Sequence, residues 1–161
     1  MEIEWLILAD YAQAIQNKLY LQGGGWTNFT VNEIPLNHQI GIATSVIVPW
    51  NETNQEANLH LQIQSEDGEF VGELKGSFKV GRPPDHPPGQ EQRAQIAANI
   101  PIAIKKLGTY VIIASLEGQE QRRITFNVVE GPMLKMKRQQ EAAQQPPPTE
   151  KPSQEEDAEN K

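Results

Sequence analysis

The chain has 161 residues, no cysteine and a formal charge of −7. Without thiols it has no disulfide framework, no thiolate metal site and no thiol nucleophile, and an acidic balance without a basic stripe argues against a nucleic-acid partner. Hydrophobic residues are 37% of the chain and aromatic residues 6%; the deficit sits in the last positions, so residues 1–130 read as one globular domain of ordinary size and 131–161 as an appendage.

The first strand expected is Ile3 to Ala9, a short apolar run without helical spacing and so covered on both faces or nearly so. Acids at Glu2 and Glu4 stand where a secretory signal needs positive charge, and no run reaches the ~20 apolar residues of a membrane span. The expected setting is therefore cytoplasmic, without a membrane. Asp10 to Ile15 reads as a helical turn or a loop, and Lys18 to Gln22 as a second strand ended by Gly23-Gly24-Gly25. After Trp26 to Val31, which reads as β, comes the clearest strand. Leu36, His38, Ile40, Ile42, Thr44, Val46 and Val48 share one face, and Asn37, Gln39, Gly41, Ala43 and Ser45 the other, with one face buried and the other wet or lightly covered.

Leu59, Leu61 and Ile63 alternate in the same way. Asp67-Gly68 makes a hairpin turn into Phe70 and Val71, and Phe78 and Val80 suggest a further short strand. Gly81 to Gly89 contains four prolines, each lacking a backbone donor, and is an exposed loop. Ile96 to Ile102 forms a strand in which Pro101 marks an edge or an end. Tyr110 to Leu116 and Arg122 to Val128, joined at Glu117-Gly118, form a hairpin. Short strands, frequent turns and no strong amphipathic helix point to an all-β fold, an antiparallel sandwich of immunoglobulin-like architecture, with a barrel as the alternative. Beyond Gly131, Met133 to Gln145 has the pattern of a short helix with few apolar anchors, and the Pro/Gln/Glu-rich remainder that of a disordered tail.

Candidate chemistry is sparse. Gly23, Gly24, Gly25 and Trp26 are the most distinctive string, but β-like residues follow where a phosphate loop needs a helix N-terminus; a turn or bulge that needs positive φ or close backbone approach is the ordinary alternative. His38, His60 and His86 have no ligand spacing, no serine sits in a nucleophile elbow, and the paired carboxylates fall in turns. No catalytic, metal or cofactor site is expected. Gly23, Gly24, Gly25, Trp26 and Trp50 are the candidate contact residues, the two tryptophans as broad aromatic faces suited to interfaces.

Glu4-Trp5-Leu6-Ile7-Leu8-Ala9-Asp10-Tyr11-Ala12, then Lys18-Leu19-Tyr20-Leu21-Gln22-Gly23-Gly24-Gly25-Trp26 and the closing Gly108-Thr109-Tyr110 hairpin, resemble a family of small bacterial proteins known only as a domain of unknown function. The resemblance covers about residues 1–130. It implies a bacterial source and a compact β-rich domain, and supplies no activity. The expected function is a non-enzymatic binding or adaptor module with a protein partner. The alternative is a binder of small molecules or carbohydrate, or a weak hydrolase, using the loop ends near Trp26 and Trp50.

Overall fold

A computed structural model describes residues 1–144. The expected disordered tail lies, beyond Gln144, outside the described residues. Ten strands follow in chain order: β1 (Glu2–Ala9), β2 (Tyr11–Ile15), β3 (Lys18–Gln22), β4 (Asn28–Val31), β5 (Leu36–Val48), β6 (Glu56–Ser65), β7 (Phe70–Lys79), β8 (Gln92–Ile104), β9 (Gly108–Leu116) and β10 (Gln119–Glu130). A 3₁₀ turn at Trp50–Glu52 follows β5, and a helix, α1 (Pro132–Gln144), follows β10.

The strands make a three-stranded sheet, β1-β5-β8, a five-stranded sheet, β4-β10-β9-β6-β7, and the β2-β3 hairpin. All pairings are antiparallel except β4 with β10. The two larger sheets share one core. Period-two alternation puts Ile40, Ile42, Val46 and Val48 of β5, with Ile100, Ile102 and Ile104 of β8, in the same apolar cluster as Leu59, Leu61 and Ile63 of β6 and Ile112, Phe126 and Val128 of β9 and β10. Each such side chain contributes about 1.5–3 kcal/mol when fully buried. Tyr110, near the start of β9, is 2% exposed and stacks on Phe126, and its hydroxyl donates to the Lys106 carbonyl at 2.8 Å.

Three segments differ from the sequence reading. Tyr11–Ile15 is a strand rather than a helical turn or loop. Five residues are too few to nucleate a helix in isolation, and docking decides the conformation: Ala12 is 2% exposed, and a Cβ on Gly41 would stand 2.7 Å from the Ala12 nitrogen. The hairpin therefore rests on the small-residue face of β5. Two amides clamp it there. Asn99 on β8 accepts from Ala12 N–H at 3.0 Å and donates to its carbonyl at 2.9 Å, while Asn17 in the hairpin turn donates to Arg93 O at 2.8 Å and accepts from Gln95 N–H at 2.8 Å.

Second, Phe70–Lys79 is one ten-residue strand that runs through Gly72 and Gly76. Third, packing continues past Glu130, where the sequence reading ends the domain. Gly131 N–H donates to Val31 O at 2.8 Å, and Leu134 in α1 is 8% exposed within the core cluster. Among the described residues no helix is long and apolar enough to cross a membrane.

Candidate functional site

The five residues singled out from the sequence do not converge on one surface. Gly23 and Gly25 have φ of +57° and +82°, a region natural to glycine, and a side chain on Gly23 would run into the Asp10 carboxylate. Asp10 N–H donates to Gln22 O at 3.0 Å and Gly25 N–H to Leu8 O at 2.7 Å. The triple glycine thus turns the chain out of the hairpin toward β4. Half-buried Trp26 packs on Phe29 and edge-on against Phe126, centroids 5.7 and 5.5 Å apart, and its buried Nε1 has no hydrogen-bond partner among the described residues.

Trp50 lies elsewhere. Leu8, which holds Gly25, sits opposite Ile42, whereas Trp50 follows the end of β5 at Val48; the six-residue rise from Ile42 to Val48 spans about 20 Å of strand. The Arg82 guanidinium lies 4.0 Å from the Trp50 ring centre and donates to Trp50 O at 2.9 Å and Thr53 Oγ1 at 2.6 Å. His86 stacks on the same indole at 6.0 Å and meets Gln90 O at 3.0 Å. Trp50 is the post on which the proline loop is fastened.

The other histidines are likewise engaged separately. His38 packs on Phe29 at 4.7 Å, and His60 Nε2 lies 2.8 Å from Glu73 Oε2. Hydrogen bonds from Lys75 first and His60 second hold the Glu73 carboxyl below its ordinary range. Among the described residues no group of three or more His, Asp or Glu is placed to hold a metal ion.

A surface the sequence reading missed lies between the outer strands of the two sheets, β7 and β8. At one end the sheets close tightly, because a Cβ on Gly72 would stand 3.0 Å from Pro101 O and 3.4 Å from Ile100 Cγ2. Toward Lys79 they part. A Cβ on Gly76 would have nothing within 4 Å, and Leu59, Leu74, Phe78 and Ile96 line an apolar cleft of about 200 Å³ there. Through Phe78 and Ile96 this cleft continues into a wider groove of about 590 Å³ bordered by Lys79, Arg82 and Arg93.

Three of the nine basic residues before Gly131 border that groove, and no carboxylate lines it among the described residues. Arg93 is partly neutralised from outside: Glu4 clasps it through three bonds of 2.9, 3.0 and 3.1 Å, raising its pKa and lowering that of Glu4, and Glu91 stands 3.8 Å away. Lys79 and Arg82 make no ion pair among the described residues. Leu74 and Phe78 at period-two positions, with Lys75 and Lys79 on the other face, were the sequence signal for this strand; taking Phe70–Val71 and Phe78–Val80 as separate pieces hid it.

The chain belongs to a family of unknown function, DUF6941, whose model matches residues 4–129. No curated protein matches its sequence. Among solved structures it is similar to a β-glucuronidase from glycoside hydrolase family 2, with 16% identity and a TM-score of 0.38 over 71% of this chain and 10% of that one. It is also similar to the Pseudomonas fluorescens alkylpurine DNA glycosylase AlkC, bound to DNA containing an abasic site analog, with 13% identity and a TM-score of 0.33 over 63% of this chain and 27% of that one. Likenesses this distant assign neither fold nor activity.

Proposed function

We propose that this protein is a non-enzymatic recognition module of immunoglobulin-like architecture that binds a protein partner through the seam between β7 and β8. The observation that carries the reading is the open seam itself: an apolar cleft over Leu74, Phe78 and Ile96 that widens into a cation-bordered groove. A sandwich whose outer strands part on one side offers a partner buried apolar contact and polar anchors together. The architecture is supported by the sheet order, in which β1, β5 and β8 match the A, B and E strands, and β10, β9, β6 and β7 the G, F, C and C′ strands of such domains. The Tyr110 hydroxyl bond to Lys106 O has the form of the tyrosine corner at the start of their F strand. A cysteine-free chain suits a reducing cytoplasm, and the family resemblance suits a bacterial source.

Affinity capture from a bacterial lysate, with wild type and Leu74→Asp compared side by side, tests the reading. Leu74 is 37% exposed, so the substitution charges the cleft without emptying the core. A protein held by wild type and released by Leu74→Asp is the expected result. Capture that is indifferent to Leu74→Asp, or binding to a glycan array with no protein captured, would overturn it.

A further inference from the structure

Every strand edge exposes unpaired N–H and C=O groups that invite another chain, and folded proteins blunt such edges. Three of the four edges of the two large sheets are blunted here. On β1 the Ile3 N–H donates to the Gln121 side chain at 2.7 Å, and the pairing register shifts between Ile3 and Trp5. β4 is only four residues long. On β8, Asn17 occupies Arg93 O and Gln95 N–H, and Pro101 has no N–H to offer. The edge of β7 is ten residues long; its own register shift is confined to Phe70–Gly72, and from Gly72 to Lys79 no side-chain hydrogen bond covers its backbone among the described residues.

The pairing register tells which way the β7 backbone points. Directly opposite residues of an antiparallel pair exchange both hydrogen bonds or neither. Asn58 gives its carbonyl to Glu117 N–H on the β9 side, at 3.0 Å, so Asn58 and its β7 partner Ser77 are a non-bonded pair. The Ser77 N–H therefore points away from β6, out of the sheet, as do the backbone groups of Glu73, Lys75 and Lys79 at the same parity.

We propose that β7 takes up an extended acidic peptide of the partner as an added strand, with alternate apolar side chains laid into the Leu74–Phe78–Ile96 cleft and a carboxylate beside Lys79 and Arg82. The mode rests on the recognition reading above and specifies it. Main-chain bonds to the outward groups of β7 supply the attachment, and alternate side chains supply selectivity. The acidic character follows from charge: Lys75 already has Glu73 at 3.0 Å and Arg93 has Glu4, which leaves Lys79 and Arg82 as the cations at the seam without an ionic partner among the described residues. From Gly72 to Lys79 the edge offers about 23 Å of strand, enough for a segment of seven or eight residues.

The test uses the full chain and two labelled eight-residue peptides of equal charge, one alternating Val with Glu and one with four Val followed by four Glu, read by fluorescence anisotropy. The alternating peptide should bind at least tenfold more tightly than the block peptide. Ser77→Pro removes an outward N–H at an edge position that tolerates proline and should weaken binding at least tenfold; Ser77→Ala should bind like wild type. Lys79→Glu, at an exposed residue, should weaken binding several-fold even if Ser77→Pro fails to fold. Equal binding of the two peptides, or full binding by a folded Ser77→Pro, would overturn strand addition. So would a concentration-dependent dimer in sedimentation that Ser77→Pro abolishes, which would put a second copy on the edge. A captured partner released by Leu74→Asp but retained by Ser77→Pro would remove this mode while leaving the recognition reading intact.

Discussion

Gly41→Ala is the sharpest probe of how the β2-β3 hairpin is seated. The added methyl would stand 2.7 Å from Ala12 N, 2.7 Å from Tyr11 C and 2.8 Å from Tyr11 Cα. All three are backbone atoms, so no side chain can swing aside. Ordinary contact begins near 3.4 Å, and the hairpin must retreat by the difference, 0.7 Å. The two bonds between Asn99 and Ala12, now 3.0 and 2.9 Å, would open to about 3.6–3.7 Å, beyond a useful hydrogen bond. Losing two bonds worth about 0.5–1.5 kcal/mol each costs about 1–3 kcal/mol, the range expected of overpacking. At about 3 °C per kcal/mol for a chain of this size, the melting temperature should fall by about 3–9 °C, and the Ala12 amide should exchange faster with deuterium. Gly76→Ala is the control, because its methyl meets nothing within 4 Å and should be neutral or stabilising by up to about 1 kcal/mol. Pairing Gly41→Ala with Asn99→Ala should be less costly than the sum of the two, since both act on one contact. Equal melting temperatures for Gly41→Ala and Gly76→Ala would refute the reasoning.

Tyr110→Phe should cost about 1 kcal/mol in a denaturant titration, and an unchanged midpoint would remove the Lys106 bond from the account of stability. Leu134→Ala should cost about 1.5–3 kcal/mol from lost burial; a melting temperature equal to wild type would place the limit of the packed domain at Glu130. The hydrogen bonds from Arg93 depress the Glu4 pKa, so the unfolded chain binds this proton more readily than the folded one. The pair's contribution is therefore fully present above the ordinary glutamate range and is lost as pH falls through the depressed folded value. Glu4→Gln should flatten that part of an acid stability profile, and a profile superimposable on wild type would show that the clasp contributes nothing measurable.

The strands legible in the sequence are those in which large apolar residues alternate over many positions, as in β5, β6 and β8 to β10. The Glu117-Gly118 turn was equally legible. Its two residues take φ of +52° and +76°, the double positive φ of the tight turn that matches strand twist. β2 escaped because Ala12 and Ala14, its inward residues, carry too little apolar surface to mark a face, and what fixes them is the notch at Gly41 on another strand. The Asn17 and Asn99 clamps join positions 76 to 87 residues apart, and an amide that imitates a strand partner has no local signature. Gly23 to Trp26 and Trp50 were conspicuous by residue type; that the glycines turn the chain and Trp50 holds a loop could not be read there.

The seam could not be seen in the sequence because it is an absence of pairing, and pairing is non-local. Three strand glycines, Gly41 under the hairpin and Gly72 and Gly76 at the seam, nevertheless divide on physical grounds. Gly41 and Gly72 are required by backbone and side chains already in place, 2.7 and 3.0 Å from a would-be Cβ. Gly76 is required by nothing within the described chain. Within a strand a glycine costs about 0.5–1 kcal/mol against alanine, and its φ is outside the positive region, so neither packing nor turn geometry offsets that cost. Glycine in such a setting suits a strand that another chain approaches closely. If the incoming peptide's side chain fills that space, the variant that leaves stability equal or improved, Gly76→Ala, should weaken binding of the alternating peptide. Unchanged affinity in Gly76→Ala would show that the space above Gly76 is no part of the contact.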